Sequence, residues 1–248
     1  MRHISELIGT TTNSPGFWGL RADDLVYGGG VSGRDRRTGE LPAEAAGQAE
    51  VALAMIEARL REYDADLAAV ARIGFHLRDP GDIRLINRVW TRRFPDELDR
   101  PTYKFLRADL DGAHLVELDF FAVLGQRRQC LYLPKVAHGN PIPMAVRMGG
   151  YLFTSRVLPL HPDTGEPGRD GVEQALLAVR NVGTLLEQSG LTWRNVQQGR
   201  AFVADPDDDV VVRALWDEHV GPADFPPLHI TRYRAGALSV LIEIIAAA

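Results

Sequence analysis

Between Ala43 and Tyr63 the apolar residues Ala49, Leu53, Ile56 and Leu60 recur at helical spacing, with Glu57, Arg59, Arg61 and Glu62 off the stripe. That pattern predicts an amphipathic helix. From Val70 to Leu77 the period changes to two: Ile73, Phe75 and Leu77 alternate with Arg72, Gly74 and His76, as in a half-buried strand. Asp79-Pro80-Gly81-Asp82 reads as a turn and helix start, and Ile83, Ile86, Trp90 and Phe94 carry a second helix. Two further strands, Pro101 to Ala108 and Leu115 to Leu124, are separated by the turn signal Asp111-Gly112. Upstream, Leu25-Val26-Tyr27 reads as a strand entering a tight turn at Gly28-Gly29-Gly30, and Arg34 to Gly39 as a polar hairpin turn. A lead-in before these ends in the aromatic pair Phe17-Trp18.

The whole pattern then repeats. Thr38-Gly39-Glu40, Gln48-Ala49 and the series Leu53, Ile56, Leu60 recur 126 positions later as Thr164-Gly165-Glu166, Gln174-Ala175 and Val179, Val182, Leu186. Asp79-Pro80 matches Asp205-Pro206, Trp90 matches Trp216, Pro101 matches Pro227, and Glu117 matches Glu243. In the last pair a slip of two, which keeps the same face, makes Leu241 the alternative counterpart of Glu117. The second copy predicts a strand over Tyr151–Arg156, a helix over Val172–Ser189, a strand over Val196–Val203 and a helix over Asp208–His219. Closing strands follow at His229–Tyr233 and Ala237–Ala246. The order β-β-α-β-α-β-β places two helices on one face of a small mixed sheet, an α+β layer. A duplicated domain follows, with copies over residues 1–124 and 141–248 and a linker over 125–140, where charge rises and periodicity stops. The sheet face away from the helices is mixed, with Arg72 and His76 in the first copy and Gln198, Arg200 and Phe202 in the second. Such a face predicts packing against other domains around a polar cavity.

Composition narrows the choice of partners. Each copy, at about 120 residues, is long enough to bury its own core. A formal net charge of -5 and no basic run argue against nucleic acid. The single cysteine, Cys130, excludes an intramolecular disulfide, and the seven histidines lack His-x-x-x-His or His-Glu-x-x-His spacing, so neither metal nor cofactor is expected. The glycine triplet precedes no Lys-Ser/Thr and no immediate helix, which excludes a phosphate loop. No run approaches the length of a membrane span, and Met1-Arg2-His3-Ile4-Ser5-Glu6 lacks the apolar core of a signal peptide. A cytoplasmic location is expected.

Several motifs carry a family resemblance. They are Tyr151-Leu152-Phe153-Thr154-Ser155, Asp163-Thr164-Gly165-Glu166, Gln174 and Asn181-Val182, with Asp79 and Asn87-Arg88-Val89-Trp90, and the final Leu241-Ile242-Glu243-Ile244-Ile245-Ala246. Together they resemble the RidA (YjgF-type) reactive-intermediate deaminase family in a tandem two-domain form. The resemblance implies two RidA/chorismate-mutase-like domains, each a mixed β-sheet with two helices packed on one face. It also implies a homotrimer with small-molecule clefts between neighbouring domains. In that family an Arg in a Pro-Ala-Arg motif grips the substrate carboxylate, and a Glu in the last strand positions the water that hydrolyses an imine or enamine. Planar guanidinium suits a carboxylate, and a carboxyl can shuttle protons.

By this resemblance Glu117 and Glu243 are the expected catalytic carboxyls. The Pro-Ala-Arg place reads Pro101-Thr102-Tyr103 and Pro227-Leu228-His229, which puts Tyr103 and His229 at the anchor position without its Arg. Arg72, Arg200 and Arg213 are the cations that could replace it. Asn87 and Ser155 keep family site positions, whereas their counterparts are Arg213 and Gly29. The expected function is a divergent Rid-like enzyme acting on a small imine, enamine or related intermediate in a specialised or secondary-metabolic pathway, with ordinary 2-imino acids as poor substrates. The alternatives are a non-catalytic ligand-binding or scaffold protein and a chorismatase-like hydrolase.

Overall fold

The computed structural model describes residues 19–221 and 226–248, so the Phe17-Trp18 lead-in lies outside the described residues. The chain divides into two units, one running to Gln129 and taking in Asn140–Ile142, the other holding Cys130–Gly139 and Pro143–Ala248.

The first unit runs β1 (Gly19–Ala22), β2 (Leu25–Ser32), α1 (Ala45–Arg61), β3 (Val70–Leu77), α2 (Ile83–Arg93), β4 (Thr102–Arg107) and β5 (Val116–Val123). Its sheet order is β1-β2-β5-β3-β4. Among the described residues of this unit only β3 and β4 pair in parallel, because α2 provides the crossover that a parallel pair requires. The expected helical stripe is the buried one: Ala49, Leu53, Ile56 and Leu60 are all fully buried. They pack on Ile73, Phe75, Val116, Leu118 and Phe120 from the sheet. The glycine triplet does not end β2 as expected. The strand continues to Ser32 through a bulge between Gly28 and Val31, a device that re-aims a strand without ending it.

The second unit adds β6 (Gln129–Leu131), β7 (Ala145–Met148), β8 (Tyr151–Thr154), α3 (Gly171–Gln188), β9 (Val196–Val203), α4 (Asp209–Val220), β10 (Leu228–Arg232) and β11 (Val240–Ala247). The order β10-β9-β11-β8-β7-β6 repeats the first sheet and extends it by one edge strand. That extra strand lies inside the stretch expected to be a linker, and its Leu131 and the following Leu133 and Val136 are buried. Three residues are too few to show a period, so nothing in the pattern marks it.

The repeated motifs hold the same joints in both copies. Asp79 caps the turn into α2 by accepting from Gly81 N at 2.8 Å, and Asp205 does so from Asp207 N at 3.1 Å. Gln48 Nε2 donates to Pro42 O and Ala113 O, while its Oε1 accepts from Leu115 N and Val116 N. Gln174 donates to Gly168 O and Ala237 O and accepts from Ser239 N and Val240 N. Each glutamine thus ties the start of a helix to the start of the closing strand, where an unmet buried group would cost about 1–3 kcal/mol. These partners also fix the register. Pro42 and Gly168 are 126 apart, but Ala113 and Ala237, like Val116 and Val240, are 124 apart.

Candidate functional site

The two-residue slip decides which carboxyls are equivalent. Asp119 lies across from Gly74 on β3, and Glu243 lies across from Arg200 on β9. Gly74 and Arg200 are themselves 126 apart, so Asp119 is the counterpart of Glu243. Glu117 pairs with His76 and Leu241 with Phe202. Leu241 is therefore the true counterpart of Glu117, as the alternative register had it.

In the first unit Val116, Leu118 and Phe120 face the helices, which turns Glu117, Asp119 and Phe121 to the other face. There His76 Nε2 meets Asp119 Oδ2 at 2.7 Å. Lys104 stands in register with Gly74 on the neighbouring strand, and Arg72 lies over the Phe121 ring at 5.9 Å. The Tyr27 ring packs on Phe121 with centroids 4.9 Å apart. Gly74 is required here, since a Cβ on it would sit 2.3 Å from Asp119 Oδ2. Burial raises the Asp119 pKa, but the His76 hydrogen bond and the charges of Lys104, His76 and Arg72 outweigh it and hold the carboxyl at about 2. Burial, with the Asp119 charge, pushes the Tyr27 phenol up to about 12, against the opposing charge of Arg72.

A folded-state value below the usual 3.8 makes Asp119 a source of stability above that pH, lost as pH falls towards 2. The shift corresponds to about 2 kcal/mol. Urea unfolding at pH 5 and pH 2 is expected to show the wild type losing about 2 kcal/mol more than Asp119→Asn over that interval. Equal losses would show that the carboxylate is not held as described.

The second unit builds its polar face differently. Glu243 is 4% exposed, across from Arg200. The Arg156 guanidinium lies 4.1 Å from the Phe202 ring centroid and 4.5 Å from that of Tyr233. Burial lowers the pKa of Arg156, and Arg200 adds to the effect, while the charge of Glu243 and Tyr233 oppose it. Beside it, Ser155 Oγ donates to Met144 O at 2.9 Å and meets His138 Nε2 at 2.7 Å. With the hydroxyl proton committed to Met144, His138 donates from Nε2 to Ser155. Burial and the nearby Arg156 charge push the His138 pKa down to about 4, so it stays neutral at neutral pH.

The expected site residues therefore scatter. Arg72 lies on the first polar face, Arg200 on the second, and His229 stands in register with Arg200 on β10. Ser155 is buried against His138. Tyr103 is a correction: it points into the helix-side core, where its hydroxyl donates to Asn87 Oδ1. Asn87 in turn donates to Asn140 Oδ1 at 3.0 Å. Both residues pin α2 and neither reaches the polar face. The alternation of β4 explains this, because Tyr103 follows Ile73 towards the helices while Lys104 takes the opposite side. Arg213 is exposed on α4, on the helix side of its sheet, and its charge acts on Asp209.

Asp119, Lys104, Arg156, His138 and Tyr233 were missed. Asp119 had a signal, being two residues beyond Glu117 on the same face, and Arg156 directly follows the Ser155 motif. His138 sits in the aperiodic stretch and had none.

The family model described as Endoribonuclease L-PSP matches residues 17–124 and again 137–248. The chain belongs to this family, the RidA/YjgF group, and carries its domain twice. A RutC family protein of Pasteurella multocida is 38% identical over 78 residues, 32% of this chain and 60% of that protein. TdcF of Escherichia coli K12, named as a candidate reactive intermediate deaminase, is 31% identical over 84 residues, 32% of this chain and 65% of its own length. The chain thus spans less than two thirds of either relative. The crystal structure of the YjgF gene product from E. coli aligns with 48% of this chain and 98% of that one, at 29% identity and a TM-score of 0.42. Among the described residues no helix is long and apolar enough to cross a membrane.

Proposed function

We propose that the chain is a Rid-type enzyme that hydrolyses a small imine or enamine to the carbonyl compound and ammonia, with Asp119 and Glu243 as the paired site carboxyls. The observation that carries this reading is their equal register, each on the face away from the helices and each among cations. A carboxyl so placed can act on the attacking water and the leaving nitrogen directly or through a neighbour. The non-catalytic alternative has no such observation in its favour.

The family anchor Arg is absent from its motif, but cationic side chains reach both faces from other positions. Arg72 and Lys104 flank Asp119, and Arg156 and Arg200 flank Glu243. An anionic substrate is therefore favoured, which reverses the expectation that 2-imino acids are poor ones. The assay is ammonia release from 2-iminobutyrate and from butan-2-imine, its carboxylate-free relative in this test. Preference for 2-iminobutyrate by at least tenfold in kcat/KM is expected; equal rates would remove the cations from recognition, and no release from either would sink the reading. Assembly as a cytoplasmic homotrimer, in a specialised pathway, belongs to the same proposal.

A further inference from the structure

The two copies offer different proton carriers. In the first, the imidazole of His76 is hydrogen-bonded to Asp119 at 2.7 Å; in the second, the equivalent position is Phe202, and the imidazole of that sheet, His229, stands one strand further out on β10, in register with Arg200. We propose that His76 is the proton-transfer residue of the first unit, with Asp119 as its positioning partner, so that one chain performs its hydrolysis with an imidazole in one copy and a carboxyl in the other. This rests on the imine reading above and deepens it.

The geometry is that of a base and its orienting acid. An ionised carboxylate only accepts, so the proton between Asp119 and His76 sits on His76 Nε2. A neutral ring then carries its lone pair on Nδ1 and has one defined tautomer, the role a buried Asp plays behind catalytic histidines generally. Gly74 permits the arrangement, since any side chain there would displace the Asp119 carboxyl from its position against His76. Arg200 fills the same place in the second copy. The His76 side chain is 29% exposed, so it is accessible to a ligand, whereas Asp119 beneath it is 15% exposed.

The charged and titratable groups around the His76–Asp119 pair come from four strands. Tyr27 stands on β2, Arg72 on β3, Lys104 on β4, and Glu117 and Asp119 on β5. Lys104 and Arg72 stabilise the Asp119 charge, which makes that carboxyl a poor proton acceptor and leaves the exchange to the ring. Burial and the Asp119 charge keep the Tyr27 phenol protonated.

The reaction balances through the one imidazole. Nδ1 takes a proton from water as the oxygen bonds to the imine carbon, and the C=N electron pair moves to nitrogen, which takes that proton from the imidazolium. In the second half Nδ1 takes the hydroxyl proton of the carbinolamine as C=O forms. The C–N bond breaks, and the departing nitrogen takes the proton to leave as ammonia.

The test uses the full chain with Glu243→Gln to silence the second copy, and 2-iminobutyrate as substrate. His76→Gln should lower the remaining kcat at least hundredfold with KM within threefold of its parent. Asp119→Asn, which keeps the ring and loses its tautomer control, should lower kcat by less than His76→Gln does. A His76→Gln kcat within threefold of its parent would overturn the role. Nitrogen-15 NMR on the wild type gives a readout that needs no variant. The expected result is protonation at Nε2 and a shift of the Nδ1 resonance on adding 2-oxobutyrate; a proton on Nδ1, or no shift at saturation, overturns the role as well. Wild-type protein that releases no ammonia would instead sink the imine reading and take this role with it.

Discussion

Asp119→Asn combined with Glu243→Gln is expected to reduce ammonia release from 2-iminobutyrate at least hundredfold, while each single change leaves the other copy working. The expectation follows from register. The two carboxyls occupy equivalent places across from Gly74 and Arg200; loss of a positioned acid-base group typically costs 10²–10⁴ in rate, and loss of the carboxylate that orients a catalytic imidazole costs about 10⁴. Both replacements are nearly isosteric and keep a polar group on a strand whose other side is packed core. A fall in rate without a change in circular dichroism therefore reports chemistry rather than folding. Glu117→Gln supplies the contrast. Its counterpart is Leu241, so one copy has no carboxyl there at all, and its rate is expected to stay within about twofold, well short of the loss expected for a proton carrier. A double variant that retains a third of its activity would remove these carboxyls from the mechanism, whatever the behaviour of Glu117.

That contrast also shows what the amino-acid sequence could and could not carry. The α1 stripe and the alternation of β3 were legible because burial imposes a period on the residues that face the core, and Leu53, Ile56, Ile73 and Phe75 are all fully buried. The repeat was legible for a related reason: Gln48 and Gln174 each satisfy four backbone groups, a task few other side chains can perform. The polar faces were harder. A slip of two residues leaves every side chain of a strand on its own face, so Glu117 and Asp119 were indistinguishable by pattern. A slip of one reverses the face, and this is what separates Tyr103, in the core, from Lys104 beside the carboxyl. Arg156 lies just past the end of β8, where alternation no longer assigns a face, and His138 lies in the aperiodic stretch, so pattern alone does not bring them to Phe202, Tyr233 and Ser155.

Trp90→Ala is expected to destabilise the first unit by about 3–5 kcal/mol, the range for truncating a large aromatic in a packed core. Its ring is fully buried, with centroids 4.4 Å from Phe94, 4.8 Å from Tyr103 and 6.0 Å from Phe75, and its Nε1 donates to Pro141 O at 3.3 Å. Removing it opens a cavity among three aromatic rings and leaves that carbonyl without its indole donor. Trp90→Phe keeps most of the ring contact and loses the indole hydrogen bond, so less than half of the effect is expected in urea unfolding; an Ala variant within 1 kcal/mol of wild type would refute the packing argument. The consequence reaches the polar face as well. Trp90 packs on Phe75, and Phe75 lies between Gly74 and His76 on β3. Loosening α2 therefore loosens the strand that holds the His76–Asp119 pair at 2.7 Å. In the folded fraction of Trp90→Ala, hydrolysis by the first copy should fall further than that by the second, because α4 and its own Trp216, set against Gly199, are untouched.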